Sequence, residues 1–165
     1  MLRNYRDDDA DAIIRVAQAA FAEFEPHYSD WPLFTANVAK MPELARTGEI
    51  IVAEDGGRIV GAVAYVGAKA SKPAFFDPSW PIIRMLVVDP SSRGKSIGRQ
   101  LTEECLRRAE RDGAGVIALH TTPIMTVALP MYLRMGFVKV LDAPDILGVP
   151  YAVYVKRLDW NCIGS

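Results

Sequence analysis

The apolar residues of this chain follow two spacings, one typical of helices and one typical of strands. From Ile13 to Phe24, apolar residues recur at helical intervals, which predicts an amphipathic helix. Segment 97–111 has the same spacing and is followed by Gly113, a common residue at helix ends. Segments 58–66 and 82–88 are instead rich in consecutive apolar residues, which predicts buried strands.

The complete pattern predicts the element order β-α-α-β-β-β-α-β-α-β-β. Strands are predicted over residues 2–5, 49–54, 58–66, 82–88, 116–120, 137–141 and 151–158. Helices are predicted over 13–24, 32–46, 97–111 and a short segment that ends at Met135 and Gly136. Because strand–helix–strand units alternate with hairpins, we expect the α/β class, with a mixed sheet and helices on both faces. We expect one domain over residues 1–165.

Composition and charge exclude several classes of function. A net charge of -1 argues against a general nucleic-acid or anionic-membrane binder. The chain contains no apolar run of the roughly 20 residues that a membrane span needs, and its start lacks the apolar region of a signal peptide. Cys105 and Cys162 lie far apart, without metal-ligand spacing, and Cys105 falls on the apolar face of a predicted helix. We therefore expect a cytoplasmic protein with no metal and no membrane partner.

A charged loop with two glycines joins the fourth predicted strand to the third predicted helix. Arg93, Lys95 and Arg99 bring positive charge, and Gly94 and Gly98 allow a ligand to approach the backbone. The first turn of the helix adds unpaired N–H groups and a positive dipole end. These features predict a diphosphate site, with an ordinary solvated basic loop as the alternative.

Two better-known phosphate motifs do not fit this loop. Gly94-Lys95-Ser96 is similar to the end of a P-loop, but Asp89 stands where that motif needs its first glycine. An aspartate carboxylate at that place would also repel phosphate. The two glycines of the loop do not have the spacing of a dinucleotide fingerprint.

Residues 93–98 resemble the acyl-CoA signature of the GNAT superfamily of N-acetyltransferases. The match holds at Arg93 and Gly98 and departs at Ser96, where the family usually has glycine. The preceding Leu86-x-Val88-x-Pro90 resembles the family's fourth strand. The order of elements is also similar to the family fold, so the resemblance covers nearly the whole chain.

The resemblance implies acetyl-CoA as a co-substrate and implies where it would lie. The strand before the loop would run beside the pantetheine arm, and a bulge in that strand would open a V-shaped slot. Backbone N–H groups of the loop would wrap the pyrophosphate. The cofactor-binding residues are then Leu86, Val87, Val88, Arg93, Gly94, Lys95, Ser96, Ile97, Gly98 and Arg99.

A second motif, Met131-Tyr132-Leu133-Arg134-Met135-Gly136-Phe137, resembles the family segment in which a tyrosine is followed by Gly-Phe. In the family this tyrosine commonly lies near the CoA sulfur and protonates the leaving thiolate. The resemblance therefore implies that Tyr132 is the catalytic acid. A half-buried structural tyrosine is the alternative interpretation.

The sequence leaves two candidates for the general base that accepts the proton of the amine. His120 ends the fifth predicted strand, and an ordinary histidine pKa suits a base, although a structural histidine at a strand end is the alternative. A water-mediated base near Glu23 or Glu25 is equally consistent, because the family usually builds its acceptor pocket after the first helix. Candidate lining residues for that pocket are Phe24, Tyr28, Trp31, Phe34, Phe75, Phe76 and Trp80.

The predicted function is transfer of an acetyl group from acetyl-CoA to a primary amine by direct attack on the thioester. The amine belongs to a small molecule or a peptide, which the sequence does not specify further. No nucleophile elbow or metal-ligand cluster occurs in the sequence. The alternatives are a non-catalytic acyl-CoA sensor or regulatory module and a structural interaction domain. The resemblance also implies a homodimer through the last strands.

Overall fold

The computed structural model describes residues 1–158 and arranges them as one mixed sheet with helices on both faces. The strands are β1 (Leu2–Asn4), β2 (Glu49–Asp55), β3 (Arg58–Val66), β4 (Ile82–Val88), β5 (Val116–Thr121), β6 (Val138–Ile146) and β7 (Val149–Arg157). The helices are α1 (Ala10–Phe21), α2 (Trp31–Val38), α3 (Ile97–Arg111) and α4 (Ala128–Arg134). The order of the strands across the sheet is β1-β2-β3-β4-β5-β7-β6. The predicted fold class and order of elements are confirmed.

Each face of the sheet carries its own hydrophobic core. On one face, α1 and α2 pack residues such as Ile13 and Phe34 against the strands. On the other face, α3 and α4 do the same with Leu101, Cys105 and Tyr132. Because β3 and β4 are covered on both sides, their sequences are almost continuously apolar instead of alternating, with Arg58 at the start of β3 and Arg84 within β4 as the charged residues.

The sheet opens between β4 and β5. One residue pair, Ile82 with Ala118, joins these strands in the described part of the chain. The register between β3 and β4 shifts between Ala62 and Ala64, and Met85 on β4 has a φ of 56°. This irregularity is a bulge that turns β4 away from β5. The bulge and slot that the family resemblance implied are therefore present.

The second predicted helix, over residues 32–46, is wrong in its length. α2 ends at Val38, and a separate 3₁₀ turn covers Met41–Arg46. Pro42 explains the break, because a proline inside a helix lacks the N–H donor and its ring clashes with the carbonyl four residues earlier, here that of Val38.

The last two strands form a longer hairpin than the sequence predicted. β6 continues past Leu141 to Ile146 although it contains Pro144, which an edge strand tolerates. The turn consists of Leu147 and Gly148, both with positive φ, at 47° and 84°. This is the conformation of a tight hairpin turn, but a Leu-Gly pair is a weaker signal than Asn-Gly.

Arg3 links the start of the chain to the sheet through ion pairs. Arg3 donates from Nη1 and Nη2 to the carboxylate of Asp9, at 2.8 and 2.9 Å, and from Nε to Glu54 on β2 at 2.9 Å. Asp9 thus serves an ion pair and makes no side-chain capping bond to α1. Among residues 1–158, no helix is long and apolar enough to cross a membrane.

Candidate active site

The loop between β4 and α3 presents a row of unpaired backbone donors. Within the described chain, the N–H groups of residues 94–99 donate to no backbone or side-chain acceptor. Gly94 and Ser96 both have left-handed backbone, with φ of 85° and 60°. These turns leave consecutive N–H groups free at the start of a 15-residue helix, which is the arrangement that binds phosphate. Because left-handed backbone favours glycine, the conformation of Ser96 also explains the usual family residue there.

The cationic side chains of the loop are already paired with carboxylates. Arg93 forms an ion pair with Glu23, which lies just after α1. Lys95 Nζ lies 3.2 Å from Asp55 and does not line the adjoining cavity, so its side chain points away from the candidate phosphate site. Arg99 pairs with Glu103 one helical turn further on. We infer that backbone groups, more than free side-chain charge, define this anion site.

A cavity of about 480 Å³ lies against the loop. Its walls include Leu86 and Val88 of β4, Gly98 of α3 and Met131 of α4. A Cβ added to Gly98 would lie 3.7 Å from Val88 Cγ2, an ordinary contact, so a larger side chain there would project into this space. The cavity is open to a long substrate that runs from the loop along β4. Val87, which the sequence placed among the cofactor-binding residues, is buried in the core beneath α1, and its main-chain groups pair with β3, so it does not face the cavity.

The exposed edge of β4 supplies main-chain groups to the slot. The Asp89 N–H donates to Val60 O at 2.8 Å. Because polar groups of successive residues point to opposite sides of an antiparallel strand, those of Val88 point away from β3 and toward β5. β5 does not pair with this part of β4, so the Val88 N–H and C=O face the slot.

A second cavity, of about 460 Å³, passes through the gap between β4 and β5. Its lining includes Phe34 and Tyr151 from the core beneath α1 and α2, and Leu119 and Tyr132 from the core beneath α3 and α4. The residues that line both cavities are Phe21, Leu86, Met125 and Ala128. The two cavities therefore meet beside the bulge of β4.

Tyr132 and His120, predicted separately as acid and base, both line this second cavity. Tyr132 is 5% exposed and packs edge-on against Phe137. In the described chain its hydroxyl has no hydrogen-bond partner, and no side-chain N or O is both fully buried and unpaired. The hydroxyl therefore opens to the cavity. Burial raises the pKa of Tyr132, so at neutral pH the hydroxyl carries its proton, and the same shift makes it a weaker acid than an exposed tyrosine.

His120 lies in an aromatic enclosure at the end of β5. The ring centroids of Phe75 and Phe76, from the loop between β3 and β4, lie 5.1 and 5.7 Å from the imidazole, and that of Tyr151 lies 5.3 Å away. Burial, with a smaller contribution from the charge of Arg84, lowers the pKa of His120 to about 4. The imidazole is therefore neutral at pH 7, with a lone pair available to accept a proton.

Other sequence candidates lie in less direct positions. Glu25 is exposed and lines neither of these two cavities, whereas Glu23 lies at the first cavity in its pair with Arg93. Phe24 lines the first cavity, and the Tyr28 hydroxyl is hydrogen-bonded to that of Tyr151. A water-mediated base near the glutamates stays a prediction. Within residues 1–158, no group of His, Cys, Asp or Glu has the arrangement of a metal site.

Two arginines of the site were missed from the sequence. Arg134 lines the first cavity beside the loop, and Arg84 lines the second beside His120. A signal for Arg84 was available, since it is the single charge in the apolar sequence of β4. Arg134 stands inside the tyrosine motif, but nothing in its spacing distinguishes it from an ordinary solvated helix residue.

The order of the strands and the opening between β4 and β5 agree with the fold that the family resemblance implied, and comparison with known proteins supports the same family. The sequence pattern of the acetyltransferase (GNAT) family matches residues 10–137, and the chain belongs to this family. The mycothiol acetyltransferase of Nocardia farcinica is 28% identical over 156 residues, which cover 92% of this chain and 48% of that protein. The chain thus spans about half the length of the curated relatives that it matches first.

Solved structures show the same fold. A GCN5-related N-acetyltransferase from Rhodopseudomonas palustris has a TM-score of 0.76 at 20% identity, covering 96% of this chain and 95% of that one. The PaiA N-acetyltransferase of Thermoplasma acidophilum, solved in complex with coenzyme A, has a TM-score of 0.73 at 16% identity, covering 96% and 98%. The predicted GNAT membership is confirmed.

Proposed function

We propose that this protein transfers an acetyl group from acetyl-CoA to an amine by direct attack of the amine on the thioester. One observation carries the proposal: the row of free N–H groups at residues 94–99 borders a cavity that meets a second, through-sheet cavity containing Tyr132 and His120. The first cavity suits a long anionic acyl carrier. The second suits the acceptor, since it reaches the same strand from the other side.

In this proposal the pyrophosphate of acetyl-CoA lies on the N–H groups of residues 94–98. Arg93, Arg99 and Arg134 line that cavity, but Arg93 and Arg99 are paired with carboxylates, so the backbone groups provide most of the proposed binding. The pantetheine arm runs along the free edge of β4 at Leu86 and Val88, and its thioester lies where the two cavities meet. The Val88 N–H then donates to the thioester oxygen as that oxygen gains negative charge.

The acceptor amine attacks the thioester carbon in its neutral form. The new C–N bond forms, the C–S bond breaks, and the amine loses one proton while the thiolate gains one. His120 accepts the proton of the amine, directly or through water, and the Tyr132 hydroxyl protonates the thiolate. Solvent returns the proton to Tyr132 and removes the one on His120, so the enzyme is unchanged after each turnover.

The proposal is tested by turnover of acetyl-CoA with a panel of amines. The panel contains amino acids, amino-acid amides, alkylamines, polyamines and short peptides with a free N-terminus, and released CoA is measured with a thiol reagent. Cys105 is buried and its pKa is raised by burial, so this thiol does not interfere. CoA release that depends on an amine supports the proposal. Acetyl-CoA binding without release for any amine would instead support a non-catalytic sensor, and absence of binding would support an interaction domain.

We also propose a homodimer in which the edge strand β6 pairs with a second copy. Val138, Val140 and Leu141 of this strand are large apolar residues with 62%, 47% and 41% of their surface exposed. Sedimentation at several protein concentrations tests this proposal, because a monomer at all of them contradicts it.

A cytoplasmic location, in reducing conditions where acetyl-CoA is made, is consistent with the free thiol of Cys105.

A further inference from the structure

The wall of the second cavity, where the proposed function places the acceptor, contains a positive charge that the proposed chemistry does not use. Arg84 is the single charged residue of β4 and lines the second cavity together with His120. By strand alternation it lies on the same face of the sheet as Ile82, beneath α1 and α2. A guanidinium in an otherwise apolar, half-buried strand needs a physical reason.

No carboxylate of the described chain pairs with Arg84. The other arginines of comparable burial, Arg3 and Arg108, hold Asp9 and Glu49 at 2.8 and 2.9 Å. For residues 1–158, Arg84 has no side-chain hydrogen bond or ion pair. Because no fully buried N or O is left unpaired in this part of the chain, the Arg84 nitrogens are open to the cavity. Burial without an opposing charge also lowers the pKa of Arg84.

Among residues 1–158, no aspartate or glutamate lines the second cavity to balance this charge. An acceptor that carried only positive charge would be repelled by Arg84. An acceptor that also carries a carboxylate would supply the missing partner, and a planar guanidinium binds a carboxylate through two parallel hydrogen bonds. The cavity therefore favours an amine that carries its own negative charge.

We propose that the acceptor is a free amino acid whose carboxylate is bound by Arg84. This proposal rests on the proposed acetyltransferase function. Arg84 precedes Leu86 by two residues, with the bulge at Met85 between them, so their separation along the strand is at most about 7 Å. An α-amino group at the thioester, its carboxylate and the arginine side chain together bridge that distance. The volume of about 460 Å³ admits a molecule of this size.

The rest of the cavity indicates the side chain of this amino acid. Phe21, Phe34, Val38 and Ile146 make much of its wall apolar. An aliphatic or aromatic side chain buries its surface against these residues, whereas a charged one would lose its hydration without a partner. Leucine, phenylalanine and methionine have the size and chemistry that this wall accepts.

Binding of the carboxylate also affects the base. The charge of Arg84 contributes to the low pKa of His120. A bound carboxylate offsets that charge and makes the imidazole a better proton acceptor when the acceptor is in place. Arg84 is thus a specificity-determining residue for the acceptor that also adjusts the neighbouring base.

The test measures equilibrium binding by calorimetry in the presence of saturating CoA, so that no turnover is needed. Leucine, phenylalanine and methionine are each compared with their carboxamides, which keep the amine and side chain but lack the negative charge. For at least one pair, we expect the acid to bind about 10- to 100-fold more tightly than the amide, the range for hydrogen bonds between charged groups. Arg84→Met should remove that difference, and Arg84→Lys should retain part of it.

Arg46→Met is the matched control, because Arg46 is exposed and lies outside both cavities. It should leave the preference for the acid unchanged, and thermal unfolding should show that all three variants are folded. Equal or undetectable binding in all three pairs would overturn the proposal, as would an acid preference that survives Arg84→Met. Failure of the proposed function has a different signature: either CoA does not bind, or the acids bind but none of them causes release of CoA from acetyl-CoA.

Discussion

At the scale of single residues, the ring and the hydroxyl of Tyr132 have different roles. Its ring belongs to the core beneath α3 and α4, while the hydroxyl opens to the second cavity. Tyr132→Phe keeps the ring and removes one proton donor, so stability should change little. We predict a fall in kcat of about 10- to 100-fold, because general acid catalysis is worth at least that much and CoA thiolate is a fair leaving group.

The affinity for acetyl-CoA should stay nearly unchanged in Tyr132→Phe, as expected for an interaction made mainly in the transition state. Tyr154→Phe is the matched control, since Tyr154 is buried in the same core but does not line the second cavity. Steady-state kinetics with acetyl-CoA as the varied substrate measure both quantities. Weaker binding with an unchanged kcat would make Tyr132 a contact for acetyl-CoA and assign the proton to water.

The role of His120 as a base predicts a pH-dependent loss of activity. His120→Ala should lower turnover about 100-fold at pH 7 and far less at high pH, where the amine loses its proton unaided. The control is His27→Ala, because His27 is the other histidine of the chain and is exposed. Turnover of the variants across pH gives the profile. A loss of equal size at every pH would point to a structural role.

The buried neutral state of His120 also predicts a change in stability with pH. Its folded pKa is about 4, below the ordinary histidine value of 6.5, so between these values the unfolded chain binds the proton more readily. Stability is therefore lost as pH falls through that window. Urea unfolding at pH 7 and pH 5 should show that His120→Gln removes about 1–2 kcal/mol of this loss. An unchanged difference between the two pH values would contradict a neutral, enclosed imidazole.

From the sequence, Tyr132 and His120 could be proposed for the site, and their roles stay predictions, whereas residues that only the fold brings together could not be proposed. Tyr132 and His120 stand in recognisable places, and the structure puts both at one cavity. Arg84 was overlooked because a charge on a strand acquires meaning only from the cavity that it faces. The left-handed backbone of Ser96 was equally invisible, since serine gives no local signal for it.

At the scale of elements, one lysine organises the loop between β3 and β4. Lys72 Nζ donates to the carbonyls of Gly67, Ala68, Ala70 and Pro78 at distances of 2.8–3.3 Å. This loop carries the two phenylalanines that enclose His120. The ammonium therefore holds one wall of the base's enclosure in place.

Lys72→Met is predicted to loosen this loop, because it keeps the length of the side chain but removes every donor. Unfolding free energy should fall by about 1 kcal/mol, and the amides of residues 68–80 should exchange faster with solvent. Lys69→Met is the control, since Lys69 is exposed and close by in sequence. Amide hydrogen exchange measures the effect. Equal exchange in the two variants would show that the loop is held by its apolar contacts alone.

The elements themselves were predicted best where one signal dominates. α3 has a regular apolar face and a glycine beyond its end, and β3 and β4 are continuous apolar runs. The second helix was overextended because its apolar spacing continues through Pro42, which ends the regular backbone. The hairpin of β6 and β7 was underestimated because edge pairing, a tertiary effect, outweighs the proline inside the strand.

At the scale of the whole molecule, the opening between β4 and β5 links two cavities that approach from opposite sides of the sheet. The bulge at Met85 separates the strands, and the loop after β4 offers free N–H groups at one end of the resulting passage. In the proposed function, a long anionic acyl donor and a small acceptor would reach the same strand by different routes. This arrangement suits direct transfer between two bound substrates.

The central claim is that acetyl-CoA binds on the backbone of the loop, and substitution of Gly98 tests it most directly. Gly98→Glu puts an anion where the pyrophosphate should lie and is predicted to weaken CoA binding at least about 100-fold by calorimetry, a loss of about 2.7 kcal/mol or more. Gly98→Ala fits at ordinary contact distance and should cost much less, and Ser96→Gly should preserve affinity because glycine favours the left-handed backbone found there. A folded Gly98→Glu variant that binds CoA as tightly as the unaltered protein would contradict the account.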